Sequence, residues 1–164
     1  MLFRSIGRLV VGAAEALGMK VVGYDPFVKP EGAAAISPDM KFTTELADVF
    51  GEADYITIHV PATASTKGMI DAGAIAQMKD GAVFLNFSRD TLVDDAAMAK
   101  ALESGKISRY VTDFANSAVM AMQRAIVLPH LGASTAEAED NCAIMAVQEI
   151  KDYLETGKKT HCVN

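Results

Sequence analysis

The chain has 164 residues, 51% of them hydrophobic and 22% charged, with a formal net charge of −6. This is ordinary globular composition with room for one good core, and it reads as one domain over residues 1–164. The acidic balance leaves no basic footprint for nucleic acid or an anionic membrane, and no run approaches the ~18–20 apolar residues of a membrane span. Cys142 and Cys162 have no histidine at metal-ligand spacing. No metal site is expected, and both read as buried or incidental thiols in a reducing cytosol. The stretch Met1 to Leu17 mixes Arg4, Arg8 and Glu15 with its apolar residues and lacks a small-residue cleavage site, so it does not read as a signal peptide.

In chain order, Ile6, Leu9, Val10, Ala13, Ala14 and Leu17 share one face of a predicted helix closed by Gly18. Lys20 to Asp25 is a short predicted strand ended by Pro26. Residues Val28 to Asp39 carry prolines and a run of alanines and read as loop. Thr44 to Phe50 fits a short helix with a threonine cap and Gly51 behind it, and Tyr55 to Val60 is a β-rich strand broken by Pro61. Asp71 to Lys79 is a further helix, leading through Asp80-Gly81 into the apolar run Gly81 to Asp90. That run lacks polar alternation, as suits a strand buried on both faces of a parallel sheet. Asp94 to Ser104 is helical with Gly105 at its end, Ile107 to Asp113 and Ala125 to Leu128 are strands, and Ser134-Thr-Ala-Glu137 is a capping box opening a helix to about Glu155.

Strands alternating with helices at this spacing predict an α/β fold with a doubly wound parallel sheet. Ligands of such sheets bind beyond the carboxyl ends of the strands. Asp25, the Ser88-Arg89 pair and Asp113 stand at those ends, and His130 follows the last strand in Pro129-His-Leu-Gly-Ala-Ser-Thr135. Taken alone, Arg89 reads equally as a ligand-holding cation or as a surface partner of Asp90 or Asp94. His130 alone reads as a structural hydrogen-bonder or as a catalyst.

Five stretches together resemble the D-isomer-specific 2-hydroxyacid dehydrogenases, and within them the D-3-phosphoglycerate dehydrogenase branch. They are Ala16-Leu-Gly-Met-Lys-Val-Val-Gly-Tyr-Asp-Pro-Phe27; His59-Val-Pro61 with Ser65-Thr-Lys-Gly-Met69; Asn86-Phe-Ser-Arg89 with Leu92-Val-Asp94; Ala101-Leu-Glu-Ser-Gly-Lys106; and Pro129 to Thr135. The resemblance runs from about Ile6 to Asn164 and implies a Rossmann-like NAD-binding domain of an oxidoreductase. In intact relatives that enzyme oxidises a small 2-hydroxy acid in serine biosynthesis, as a cytoplasmic homodimer. It further implies that Asp25 accepts hydrogen bonds from the adenosine ribose, that Asp113 meets the nicotinamide carboxamide, and that Arg89 and His130 are catalytic, holding the substrate carboxylate and exchanging its proton. Ser5, Ile6, Gly7, Val60, Phe87, Ser88, Arg89, His130, Gly132 and Ala133 complete the implied cofactor contacts.

The chain departs from the family at three places. Of the family's G-x-G-x-x-G only the last glycine, Gly7, is present, with Leu2 and Arg4 at the other two positions and no strand ahead of them. Ala118 falls where a glutamate partnering the histidine belongs. No substrate domain is expected within these 164 residues. Two readings follow: the NAD-binding domain of such an enzyme, truncated or degenerate, or a non-catalytic dimerising module derived from it.

Overall fold

The computed structural model describes residues 5–159. They fall into two compact units, divided between Pro129 and His130.

The first unit opens with helix α1 (Ser5–Ala16), followed by β1 (Val22–Tyr24), α2 (Pro30–Ala34), β2 (Lys41–Thr43), α3 (Leu46–Glu52) and β3 (Tyr55–Ile58). It continues with α4 (Ala72–Gln77), β4 (Ala82–Asn86), a single 3-10 turn at Asp90–Leu92, α5 (Asp95–Ser104), β5 (Ile107–Thr112), α6 (Ser117–Met120) and β6 (Ala125–Val127). Every strand pairing is parallel, as the alternation of strand and helix requires, and the fold is Rossmann-like. The strands nevertheless form two sheets, β1–β2 and β3–β4–β5–β6.

Local chemistry accounts for the element ends. Asp71 and Asp94 cap α4 and α5 by accepting the backbone N–H groups of Ala74 and Ala97, and α5 stops where Gly105 turns left-handed at φ 80°. The main core lies around β3, β4 and β5, with Ile56, Phe84, Met98, Ile107 and Tyr110 buried. A smaller cluster of Val11, Ala33 and Met40 lies under α1 and α2. Phe84 and Tyr110 are direct cross-strand partners with ring centroids 6.1 Å apart and tilted by 42°. Because Phe84 has no exposed surface, Phe84→Ala is expected to cost about 3–5 kcal/mol. That corresponds to a fall of roughly 10 °C or more in the thermal midpoint. Calorimetry checks it.

The structure corrects the sequence expectations in several places. On α1 the buried face is Gly7 and Val11 with Val10 and Ala14 partly covered, while Ile6, Leu9 and Leu17 are exposed. The predicted loop over residues 28–39 contains α2, because Pro30 sits at a first-turn position where its missing N–H costs nothing. Strand β2 follows it, a three-residue strand too short to carry a periodic signal. The cap of α3 is Glu45 without a side-chain bond, and the helix runs through Gly51. Run β4 is not equally buried on its two faces: Ala82, Phe84 and Asn86 are covered, whereas Val83 and Leu85 are only partly so. Leu85 borders a cavity.

The second unit is mainly α7 (Ala136–Thr156). Its cap is Thr135, whose hydroxyl accepts the Ala138 N–H, one residue later than the predicted box at Ser134. Cys142 is exposed on α7 rather than buried. Cys162 lies outside the described residues. No helix among the described residues is long and apolar enough to cross a membrane, and no metal-binding cluster of His, Cys, Asp and Glu occurs among them.

Candidate functional site at the strand ends

Four strand ends share one device. Asp25 Oδ1, Thr43 Oγ1, Asn86 Oδ1 and Thr112 Oγ1 each accept the backbone N–H two residues ahead, from Phe27 (2.9 Å), Glu45 (3.1 Å), Ser88 (3.1 Å) and Phe114 (3.2 Å). All four side chains are buried. As a strand leaves its sheet its backbone donors lose their ladder partners, and a short polar side chain recaptures one of them while turning the chain. The carboxyl edge is thereby built from fixed turns rather than loose loops.

The turn after β4 is tied most firmly. Asn86 Nδ2 donates to the Arg89 carbonyl at 2.8 Å, and Ser88 Oγ donates to the Ile58 carbonyl of β3 at 2.8 Å. The register sets Ile58, Asn86 and Thr112 side by side. Val60, Phe87, Ser88, Arg89 and Asp113 therefore follow the ends of neighbouring strands; of these the sequence puts Ser88, Arg89 and Asp113 at strand ends. Arg89 is exposed, with Nη1 donating to the Ser88 carbonyl at 2.6 Å. It forms no ion pair with Asp90 or Asp94; Asp90 accepts the Thr91 N–H and Asp94 caps α5.

The remaining predicted positions are spread more widely. Asp25 ends β1 in the other sheet and is 2% exposed. Ser5, Ile6 and Gly7 form the first turn of α1, with Gly7 buried and Ile6 exposed. His130, Gly132 and Ala133 belong to the second unit and are exposed. Ala118 lies in α6, capped by Asn116, and its methyl group is exposed.

Sequence reasoning passed over the organising roles of Asn86, Thr112 and Thr43. Their signal was a polar residue closing an apolar run. It also passed over the environment of His59, half-buried beyond β3 with Nε2 3.1 Å from Thr57 Oγ1. Burial lowers the His59 pKa below its ordinary value near 6.5. The folded chain thus binds this proton less readily than the unfolded chain. The corresponding stability is present above about pH 6.5 and is lost as pH falls through that value. Urea midpoints are expected to drop between about pH 7.5 and pH 5, with a smaller drop in His59→Gln.

Residues 3–132 match the family described as D-isomer specific 2-hydroxyacid dehydrogenase, NAD binding domain. The chain belongs to this family. It is similar to D-3-phosphoglycerate dehydrogenase of Synechocystis sp., with 37% identity over 155 residues, covering 91% of this chain and 27% of that relative. The enzyme of the same name from Mycobacterium bovis is 38% identical over 152 residues, covering 89% of this chain and 28% of the relative. Among solved structures, the NAD-complexed D-isomer specific 2-hydroxyacid dehydrogenase from Lactobacillus delbrueckii ssp. bulgaricus matches with a TM-score of 0.84 and 26% identity, over 99% of this chain and 54% of that one. The chain thus spans under a third of the length of these curated relatives.

NAD is the cofactor of this NAD-binding domain family. Asp25 offers a fixed carboxylate acceptor of the kind a ribose diol needs, and the ends of β3, β4 and β5 offer a polar rim. Of the loop that the sequence assigned to the pyrophosphate, Leu2 to Gly7, residues 2–4 lie outside the described residues.

Proposed function

We propose that residues 1–164 are the nucleotide-binding domain of an NAD-linked oxidoreductase acting on a small D-2-hydroxy acid, of the D-3-phosphoglycerate dehydrogenase kind. NAD, when bound, accepts the hydride from the substrate carbon. Asp25 accepts hydrogen bonds from the adenosine ribose, and its negative charge disfavours a 2′-phosphate. The Asp113 carboxylate receives the carboxamide N–H. Ser5, Ile6, Gly7, Val60, Phe87, Ser88, Gly132 and Ala133 line the cofactor. Arg89 holds the substrate carboxylate with a planar, permanently charged fork, and His130 takes up the proton from the substrate hydroxyl. The single observation that carries this reading is the fastened turn Asn86–Arg89, which holds an exposed arginine at the end of β4, the strand paired with β5 ahead of Asp113.

By the same reading the protein serves serine biosynthesis in the cytoplasm as a homodimer. The alternative, a non-catalytic dimerising module of the same descent, is favoured by the methyl group at Ala118. A row of exposed apolar residues on α7, Ile144, Val147, Ile150 and Leu154, favours it too. Ligand-observed NMR with NAD and NADP tests the cofactor assignment. Saturation transfer is expected for NAD and not for NADP, and Asp25→Ser is expected to lose that preference. Equal transfer from both cofactors in the parent chain would refute the role of Asp25.

A further inference from the structure

The buried face of β4 and β5 ends in a block of four side chains. Register sets Phe84 beside Tyr110 and, nearer the carboxyl end, Asn86 beside Thr112. All four are 1% exposed or less. The Phe84 and Tyr110 rings pack together, and the tyrosine hydroxyl reaches forward to the next pair. Around it the core is apolar, with Met98, Leu102 and Ile107 buried. A phenylalanine would serve that packing equally well, whereas a buried hydroxyl costs stability unless it is partnered. The hydroxyl is therefore explained by what it bonds.

Its partners are the two side chains that make the strand-end turns. Asn86 Nδ2 donates to the Tyr110 hydroxyl in a long hydrogen bond of 3.5 Å, and Thr112 is the phenol's other hydrogen-bonding neighbour. The chemistry of each group sets the direction of the chain. The Asn86 amide cannot be turned over, because its Oδ1 faces the Ser88 N–H and its Nδ2 faces the Arg89 carbonyl. Its second amide hydrogen goes to the phenol oxygen. The phenol's own hydrogen is then left for Thr112 Oγ1, which also accepts the Phe114 N–H. Burial raises the Tyr110 pKa above its ordinary value and so keeps that hydrogen in place. One hydroxyl thus stands between the turn that carries Arg89 and the turn that contains Asp113.

We propose that Tyr110 is a positioning residue, whose hydroxyl couples the turn Asn86–Arg89 to the turn Thr112–Phe114 and keeps Arg89 and Asp113 in constant relation. The backbone ladder between β4 and β5 ends with the pair Asn86 and Thr112. Beyond that pair the phenol supplies a link that does not pass through the backbone. Its use in the reaction rests on the proposed function, in which Arg89 holds the substrate carboxylate and Asp113 the nicotinamide carboxamide. Hydride transfer needs those two groups in near-attack geometry, where a misplacement of about 1 Å costs roughly 10²-fold.

Hydrogen exchange in the free 164-residue chain tests the coupling without any ligand. Tyr110→Phe keeps the ring and removes only the hydroxyl. The amides of Ser88 and Phe114, fastened by Asn86 and Thr112, are both expected to exchange about three- to tenfold faster, with the amides of Phe84 and Met98 unchanged. Thr112→Val is expected to quicken Phe114 directly and Ser88 through the phenol, and to lose its effect on Ser88 in the Tyr110→Phe background. Packing alone does not produce that dependence. Saturation transfer with NAD at millimolar concentration supplies the functional readout. In the Tyr110→Phe chain, transfer to the nicotinamide ring is expected to fall about twofold or more relative to the adenine ring, because Asp113 meets one end and Asp25 the other. Unchanged exchange at Ser88 and Phe114 in Tyr110→Phe overturns the proposal, and so does faster exchange spread evenly over β4 and β5, which would mean that the tyrosine only fills the core. An unchanged ratio of nicotinamide to adenine transfer overturns the positioning role as well. No transfer from NAD in the parent chain refutes the cofactor assignment instead, and the exchange result then decides the role of Tyr110.

Discussion

Supplied with saturating NAD and 3-phosphoglycerate, the purified 164-residue chain is expected to form no NADH above background. Two losses combine, and their sizes differ. A general acid–base group contributes about 10²- to 10⁴-fold, so an alanine at position 118, where the resemblance read from the sequence sets a glutamate partnering the histidine, is expected to slow an assembled site without abolishing it. Loss of positioning costs more, since holding two reactants in near-attack geometry is worth roughly 7–11 kcal/mol. Among the described residues the strand ends of the first unit supply one wall for a substrate, and Arg89 is exposed on it. A carboxylate held there is screened by water rather than enclosed in a desolvated pocket. Ala118→Glu alone is therefore expected to restore nothing, the more so because the Ala118 side chain is exposed in α6. Absorbance at the NADH band checks both statements. Turnover by the purified chain, abolished by Arg89→Ala or His130→Ala, would mean that these residues carry a complete site and that positioning by a second wall is not needed.

The architecture was legible in the sequence where spacing carried it. Helix α5 is announced by Asp94 and Gly105, which cap it as expected, and the apolar run from Gly81 marks β4 because burial excludes polar residues there. Three-residue strands are too short for periodicity, so β2 passed unseen. The five-residue α2 was hidden behind Pro30, which reads as a helix breaker until its first-turn position is known. The face of α1 was misassigned for a different reason. Apolar spacing fits two overlapping stripes, and only the approach of Ala33 and Met40 selects the one containing Val11. Arg89 and Ser88 were visible as a polar break after an apolar run, but what holds them was not. The bond from Ser88 to Ile58 joins residues brought together by strand register, and register is a tertiary property. The split of the sheet was equally invisible, since each strand reads the same whether its neighbour is present or not.

Affinity for NAD is the second large effect. The family's phosphate turn works by bringing bare backbone against the pyrophosphate at a helix start, which a side chain obstructs. By the resemblance read from the sequence, Leu2 and Arg4 stand at two of its three glycine positions, and only Gly7 is retained. Arg4 or Arg8 brings positive charge, yet a flexible side chain does not reproduce aligned N–H groups. Contacts at Asp25 and along the rim of β3, β4 and β5 are left to hold the cofactor, which leads to a Kd of about 1 mM or weaker, equivalent to roughly −4 kcal/mol. Calorimetric titration of NAD into the chain, and into a variant carrying Leu2→Gly with Arg4→Gly, measures this directly. Saturable millimolar binding by the parent chain, tightened about tenfold or more by the two glycines, is the predicted result. Micromolar binding by the parent chain, or no gain from the glycines, would contradict the account.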